Sequence, residues 1–298
     1  YEEALKRDPE FAPAWAHLAE ARIMLVQMAP LPVAEEFPRL KREAEHALRL
    51  DPDNAAAHAI MASILQSELP SDLEGADRHS RRALELNPND PTALLYRAQL
   101  LMVLERFDEQ ATLLDRALAI DPFNPFIRAN GVFAAGFGGD LDGARAAYDL
   151  TLEIDPDNLV APWALGWSLV MVEEFEEGRA ILEEAHEAFF SIEDGSPEMM
   201  PTLLMALVAL DRAEEIASLR ADVEAAADRR YIPPIFLACL DAAQGREDEA
   251  LTRLEEAVEE RDFRVAWTLD ILQNMLYPQG DPPERIQAVR AGILPVGP

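Results

Sequence analysis

An Asp-Pro or Asn-Pro pair punctuates the first half of this 298-residue chain at near-regular intervals. It stands at Asp8-Pro9, Asp51-Pro52, Asn87-Pro88, Asp121-Pro122 and Asp155-Pro156, with the prolines 43, 36, 34 and 34 residues apart. Aspartate or asparagine beside proline starts a turn, because proline holds φ at about −65° and has no N–H to continue a helix. A turn that returns every 34 or so residues implies one supersecondary unit built repeatedly. Such a unit buries its apolar face only by stacking on its neighbours.

The spacing between the turns is helical. Before each proline runs an amphipathic stretch with a small residue five places upstream: Ala4, Ala47, Ala83, Ala117 and Thr151. After each turn a second stretch carries apolar residues three and four apart, as in Trp15, Leu18 and Ala19, or Trp163, Leu165, Gly166 and Leu169. Ala19, Ala62, Ala98 and Gly166 fall where two helices must approach closely. No β-branched alternation persists, so the fold class is all-α. The reading gives helix pairs at 12–28 with 33–49, 54–69 with 72–86, 91–104 with 107–120, and 125–137 with 140–154. Further pairs follow at 158–172 with 175–192, 197–210 with 212–228, and 233–244 with 247–261. Residues 1–7 read as the end of an earlier second helix, 264–276 as a capping helix and 283–291 as a short terminal one. Pro30, Pro32 and Pro38 mark a longer loop in the first pair, and Glu105-Arg106, Gly138-Gly139 and Gly245-Arg246 sit at the tight turns inside pairs.

Trp15-x2-Leu18-Ala19, the segment 105–122 and the segment 245–262 resemble the tetratricopeptide repeat family over about 260 residues. The later units are degenerate, since Phe190 stands where the next proline would fall. The resemblance implies a right-handed superhelical solenoid of about seven pairs over residues 1–262. Residues 263–298 would form the C-terminal capping helix and tail. It also implies a concave groove lined by first helices. Family positions put Leu95, Gln99, Met102 and Val103 in that groove, then Phe126, Asn130, Phe133 and Phe137. Trp163, Trp167, Val170, Met171 and Met205 continue it. A strip so apolar marks a surface that takes a protein or peptide segment. Two other readings stay open. A register slip by one residue would make these positions ordinary core, and the groove can be filled by the chain itself or by a second copy.

Some family members grip a C-terminal carboxylate with groove lysines and asparagine. Here Asn130 occupies the asparagine position, but the lysines are absent, so that clamp is not expected. Asn130 remains able to bond the backbone of an extended peptide.

The first unit (residues 1–25) and residues 231–262 are also similar to the tetratricopeptide regions of certain bacterial signalling proteins. There the array follows a winged-helix, nucleotide cyclase or kinase domain. The closing Gly292-Ile293-Leu294-Pro295 adds to the likeness, while residues 269–283 depart from it. On that reading the chain, which opens at Tyr1 inside a helix, is the sensory or protein-binding part of a longer protein. Its effector then lies upstream. The alternative role is a self-associating module that regulates an attached cyclase, kinase or transcriptional regulator.

Charge narrows the partners. The 56 acidic and 26 basic residues leave a net charge of −30, which repels nucleic acid and anionic membranes. The densest basic cluster is Arg78, His79, Arg81 and Arg82 on one helix. The run 173–194 is acidic and reads as a solvated helix face. No stretch approaches the roughly 18 to 20 apolar residues of a membrane span, and no secretory signal is visible. A single cysteine, Cys239, excludes an internal disulfide and fits a cytoplasmic setting.

Catalytic chemistry is not expected. His17, His46, His58, His79 and His186 make no metal-ligand motif, although His17 and His58 fall on successive first helices. The glycine-rich stretch 136–143 lacks the lysine and hydroxyl of a phosphate loop and coincides with an intra-pair turn. Asp51-Pro52-Asp53-Asn54 and its copy at 155–158 lack the spacing of a calcium loop. Neither cofactor nor metal is expected.

Overall fold

A computed structural model describes residues 1–28, 31–190, 197–278 and 281–293. The described residues form seventeen α-helices and no strand. After α1 (Glu2–Arg7) come α2 (Ala12–Met28) with α3 (Val33–Leu50), α4 (Ala55–Ser67) with α5 (Leu73–Leu86), and α6 (Pro91–Val103) with α7 (Phe107–Ile120). Next are α8 (Pro125–Phe137) with α9 (Leu141–Ile154), α10 (Val160–Met171) with α11 (Phe175–Phe190), and α12 (Met200–Ala209) with α13 (Ala213–Ala227). The series ends with α14 (Pro234–Ala243) and α15 (Glu247–Glu259), then α16 (Val265–Leu276) and α17 (Glu284–Ile293). All seven pairs stand within three residues of the bounds set by periodicity. Pro30 of the expected loop, residues 191–194 of the acidic run and Leu294-Pro295 of the closing motif lie outside the described residues.

The Asp/Asn-Pro turn works through three groups. The amide of its first residue donates back to the small residue four places earlier, as in Asp51 N to Ala47 O at 2.8 Å and Asp121 N to Ala117 O at 2.9 Å. At four of the five turns that residue (Ala47, Ala83, Ala117 or Thr151) is buried, which is why it must be small. The residue two after the proline caps the next helix: Asn54 Oδ1 accepts from Ala57 N at 2.9 Å, and Asp90 Oδ1 from Thr92 N at 2.9 Å. Asn124 and Asn158 repeat the arrangement on α8 and α10. Each such cap satisfies helix-end donors that would otherwise face only water.

The turn inside a pair has its own recurring geometry. Glu105, Gly139, Glu173, Asp211 and Gly245 all have positive φ, from 56° to 80°. The amide that follows each reaches the carbonyl five residues back, as in Arg106 N to Leu101 O at 2.8 Å and Glu174 N to Leu169 O at 2.9 Å. This is the Schellman closure of a helix. Glycine takes that conformation without strain, whereas glutamate or aspartate loses about 1 kcal/mol or more. The turn therefore survives at Glu105, Glu173 and Asp211, where a glycine signal is missing.

The chain divides into two compact units. The first holds Tyr1–Gln27 and Glu35–Ala161. In it α4 packs on α5, α6 on α7 and α8 on α9, and each pair leans on the next. Leu94, Leu95, Ala98, Leu114, Ala117, Ile127 and Ala134 form one buried cluster across α6, α7 and α8. The second unit holds Met28–Ala34 and Pro162–Pro298. Gly166 sits so close to α11 that an added Cβ would lie 2.4 Å from Leu182 Cγ, which fixes that pair's spacing. Farther along, α12 packs on α11, α13 and α14, and α14 on α15.

Candidate protein-binding faces

In the first unit the residues assigned to the groove divide into two sets. Leu95 belongs to the buried cluster, and Phe126 lies half-buried against it. Asn130 is also buried: its Nδ2 donates to Phe126 O at 2.8 Å and its Oδ1 accepts from Gln99 Nε2 at 3.5 Å. Its amide is thus engaged within the unit rather than held out toward a peptide. Met102, Phe133 and Phe137 are half-buried. Phe133 stacks on Phe137 at 5.9 Å between ring centroids, and Phe137 stacks on Phe107 of α7 at the same separation. Phe107 opens the second helix of its pair, so the family's groove positions do not include it.

The second unit gathers three tryptophans. Trp163 and Trp167 of α10 lie 6.5 Å apart, and Trp267 of α16 is 5.4 Å from the first and 5.6 Å from the second. The planes cross at 55° to 66°, the tilted and edge-on geometry that aromatic quadrupoles favour. Val170 is 1% exposed and lies where α10 meets Gly178 of α11, whereas Met171 beside it is 42% exposed. Met205 of α12 is half-buried.

The helix α16 does more than close the end of the series. It packs on α14 and α12, both first helices, and brings Trp267 to a third, α10. It therefore runs along the face that these first helices present. Its start is pinned by Arg264, which is 0% exposed. Arg264 Nε donates to Glu198 Oε1 at 2.6 Å and Nη1 to Asp262 Oδ1 at 3.2 Å, and the guanidinium lies over the Phe263 and Phe236 rings. A buried charge persists only with such partners. Sequence reasoning missed this course of α16, although an arginine directly after Asp262-Phe263 in an otherwise apolar stretch was its trace.

The basic cluster on α5 is neutralised locally. Arg78 pairs with Glu74 at 2.7 Å, Arg81 with Asp77 at 2.7 Å, and Arg82 with Asp53 at 2.6 Å. The hydrogen bond from Arg81, ahead of that from Arg97, holds the Asp77 carboxyl below its usual range. His17 turns to Glu20, with Nδ1 to Oε2 at 2.9 Å, while His58 meets His79 of α5 instead. Cys239 is fully buried, and burial pushes its thiol far above the ordinary range. Among the described residues no group of three or more His, Cys, Asp or Glu side chains is arranged to hold a metal. No described helix is long and apolar enough to cross a membrane.

Known proteins agree with this architecture. Residues 71–125, covering α5 to α7, match the tetratricopeptide repeat family. The Protein CTR9 homolog of Arabidopsis thaliana is 30% identical over 133 residues, which are 44% of this chain and 12% of that protein. A tetratricopeptide repeat protein from Parabacteroides merdae superposes with a TM-score of 0.53 at 14% identity, over 89% of this chain and 99% of its own. PilF of Pseudomonas aeruginosa superposes with a TM-score of 0.50 at 15% identity, over 96% and 99%. The chain thus matches the tetratricopeptide repeat family over residues 71–125 and has the fold of a tetratricopeptide repeat protein.

Proposed function

We propose that this chain is a non-catalytic binding module that takes a protein or peptide segment on apolar faces of its first helices. The observation that carries the reading is α16 itself. An amphipathic helix lies on α10, α12 and α14 and inserts Trp267 against Trp163 and Trp167. That contact supports a face that takes a helix with an aromatic anchor, bound by shape and apolar burial. In that unit the occupant belongs to the chain, which favours the self-filled reading there. Met102, Phe133 and Phe137 then carry the binding of a separate segment by the first unit.

The finer assignments form part of the same reading. Residues 1–262 constitute the repeat array and 263–298 its C-terminal close. The module works in the cytoplasm as the sensory part of a signalling protein with an upstream effector, and self-association is the alternative mode. The acidic surface keeps polyanions away. Two substitutions test the binding face. Phe133→Ser should lose proteins recovered with the wild-type chain from source-cell lysate while far-UV circular dichroism is unchanged. Trp167→Ser should instead release α16 and alter near-UV dichroism. If Phe133→Ser unfolds the chain, or binds as wild type, the first-unit face is not the site.

A further inference from the structure

Two imidazoles of the first unit meet in a way that neither helix packing nor the binding reading uses. His58 of α4 and His79 of α5 place their Nδ1 atoms 2.9 Å apart. The other nitrogen of His58, Nε2, lies 3.0 Å from Pro52 O. A carbonyl only accepts, so Nε2 carries the hydrogen and Nδ1 of neutral His58 is a lone pair. His79 Nδ1 must then donate to it. The His58 bond to Pro52 has counterparts: Trp15 Nε1 donates to Pro9 O at 2.8 Å and Arg128 Nε to Pro122 O at 2.7 Å. Proline-carbonyl satisfaction thus accounts for Nε2 of His58 but not for a second histidine facing its lone pair.

We propose that His58 and His79 form a two-histidine site for a divalent ion of tetragonal preference, copper(II) or nickel(II). The 2.9 Å contact is a hydrogen bond between the rings; at metal–nitrogen distances of about 2.0–2.1 Å the same separation subtends about 90° at a metal, once each ring turns by about 45° to aim its Nδ1 lone pair at the ion. That is the angle between neighbouring ligands in tetragonal coordination. A tetrahedral zinc ion, at about 109°, would require the nitrogens to part to about 3.3 Å. The Nε2–H bond of His58 to Pro52 O is the second-shell arrangement that fixes a ligating imidazole's tautomer. On binding, the hydrogen between the rings moves from Nδ1 to Nε2 of His79, and no proton leaves the neutral pair. Both rings are partly exposed, so the ion has access. Asp72 favours a cation here and Arg78 opposes it, but Arg78 is paired with Glu74 and Arg82 with Asp53 and Glu85. Water completes the coordination, since among the described residues no third His, Cys, Asp or Glu ligand joins the pair.

The test is calorimetric titration of nickel(II) chloride into the metal-stripped full chain. One saturable site is expected. His58→Gln and His79→Gln should each weaken it by about tenfold or more, and His17→Gln should leave it unchanged. Copper(II) paramagnetic resonance on a His17→Gln, His46→Gln double variant gives a second readout that leaves the pair intact. It should still show two coordinated nitrogens. Absence of saturable binding in the wild type, binding that survives His79→Gln, or loss of the two-nitrogen signature in the double variant overturns the proposal.

Discussion

His186 on α11 is 5% exposed, and burial, followed by the nearby charge of Arg230, pushes its pKa down to about 4. An unfolded chain would protonate the same ring near the usual value of about 6.5. The unfolded state therefore binds the proton more tightly. Stability from keeping this ring neutral is complete above about pH 6.5 and is lost as pH falls toward 4. The shift corresponds to about 3 kcal/mol between those limits. Many carboxylates also titrate at the low end, so the difference between wild type and His186→Gln isolates the histidine. Urea midpoints across pH 7 to 4 should fall more steeply for wild type than for the variant. Parallel curves would show that the ring is protonated at no cost in the folded state.

Helices were legible where a residue's neighbours in sequence are also its neighbours in space. Asn124 caps α8 because it stands two residues after Pro122, and Ala117 is small because Asp121 N closes onto its carbonyl. The site was less legible. Trp167, Val170 and Met171 occupy one turn of α10, and family positions assign all three to one groove. Their settings diverge according to how near α11 comes: Gly178 admits Val170 to the interface and leaves Met171 outside it. The seat of α16 was not legible, because it depends on Arg264 reaching Glu198, 66 residues away. No local pattern encodes that distance. Arg264→Met should therefore act on α16 as an element. It leaves Glu198 and Asp262 buried without their guanidinium, which costs about 3–5 kcal/mol. Trp267 would leave Trp163 and Trp167, shifting tryptophan emission to longer wavelength before the rest of the chain melts. Adding Glu198→Leu should restore part of the loss, since an apolar replacement removes the stranded charge as well. An emission maximum unchanged in Arg264→Met would mean that the tryptophan contacts alone hold α16.

At the scale of the whole chain, repeat architecture sets how far a defect spreads. Within each unit helix pairs pack on their neighbours, so stability is close to a sum of pair and interface contributions rather than one indivisible quantity. The first unit's cluster depends on Ile127, which is 1% exposed and joins α8 to α6 and α7. Ile127→Ala removes buried methylenes and leaves a cavity, costing about 2–5 kcal/mol. That loss should fall mainly on α6, α7, α8 and α9. Hydrogen exchange followed by mass spectrometry should show amides of those helices opening faster, while α12, α14 and α15 keep their wild-type protection. The reciprocal variant, Arg264→Met, should accelerate exchange in α12, α14 and α16 and spare α6 to α8. Equal acceleration everywhere in both variants would mean that the chain opens as one cooperative body. The repeats would then fail to confine damage, and a ligand bound to the first unit would stabilise the second to the same extent. If the confinement holds, occupation of the tryptophan face by α16 leaves the first unit able to order or open on its own, as a binding face must.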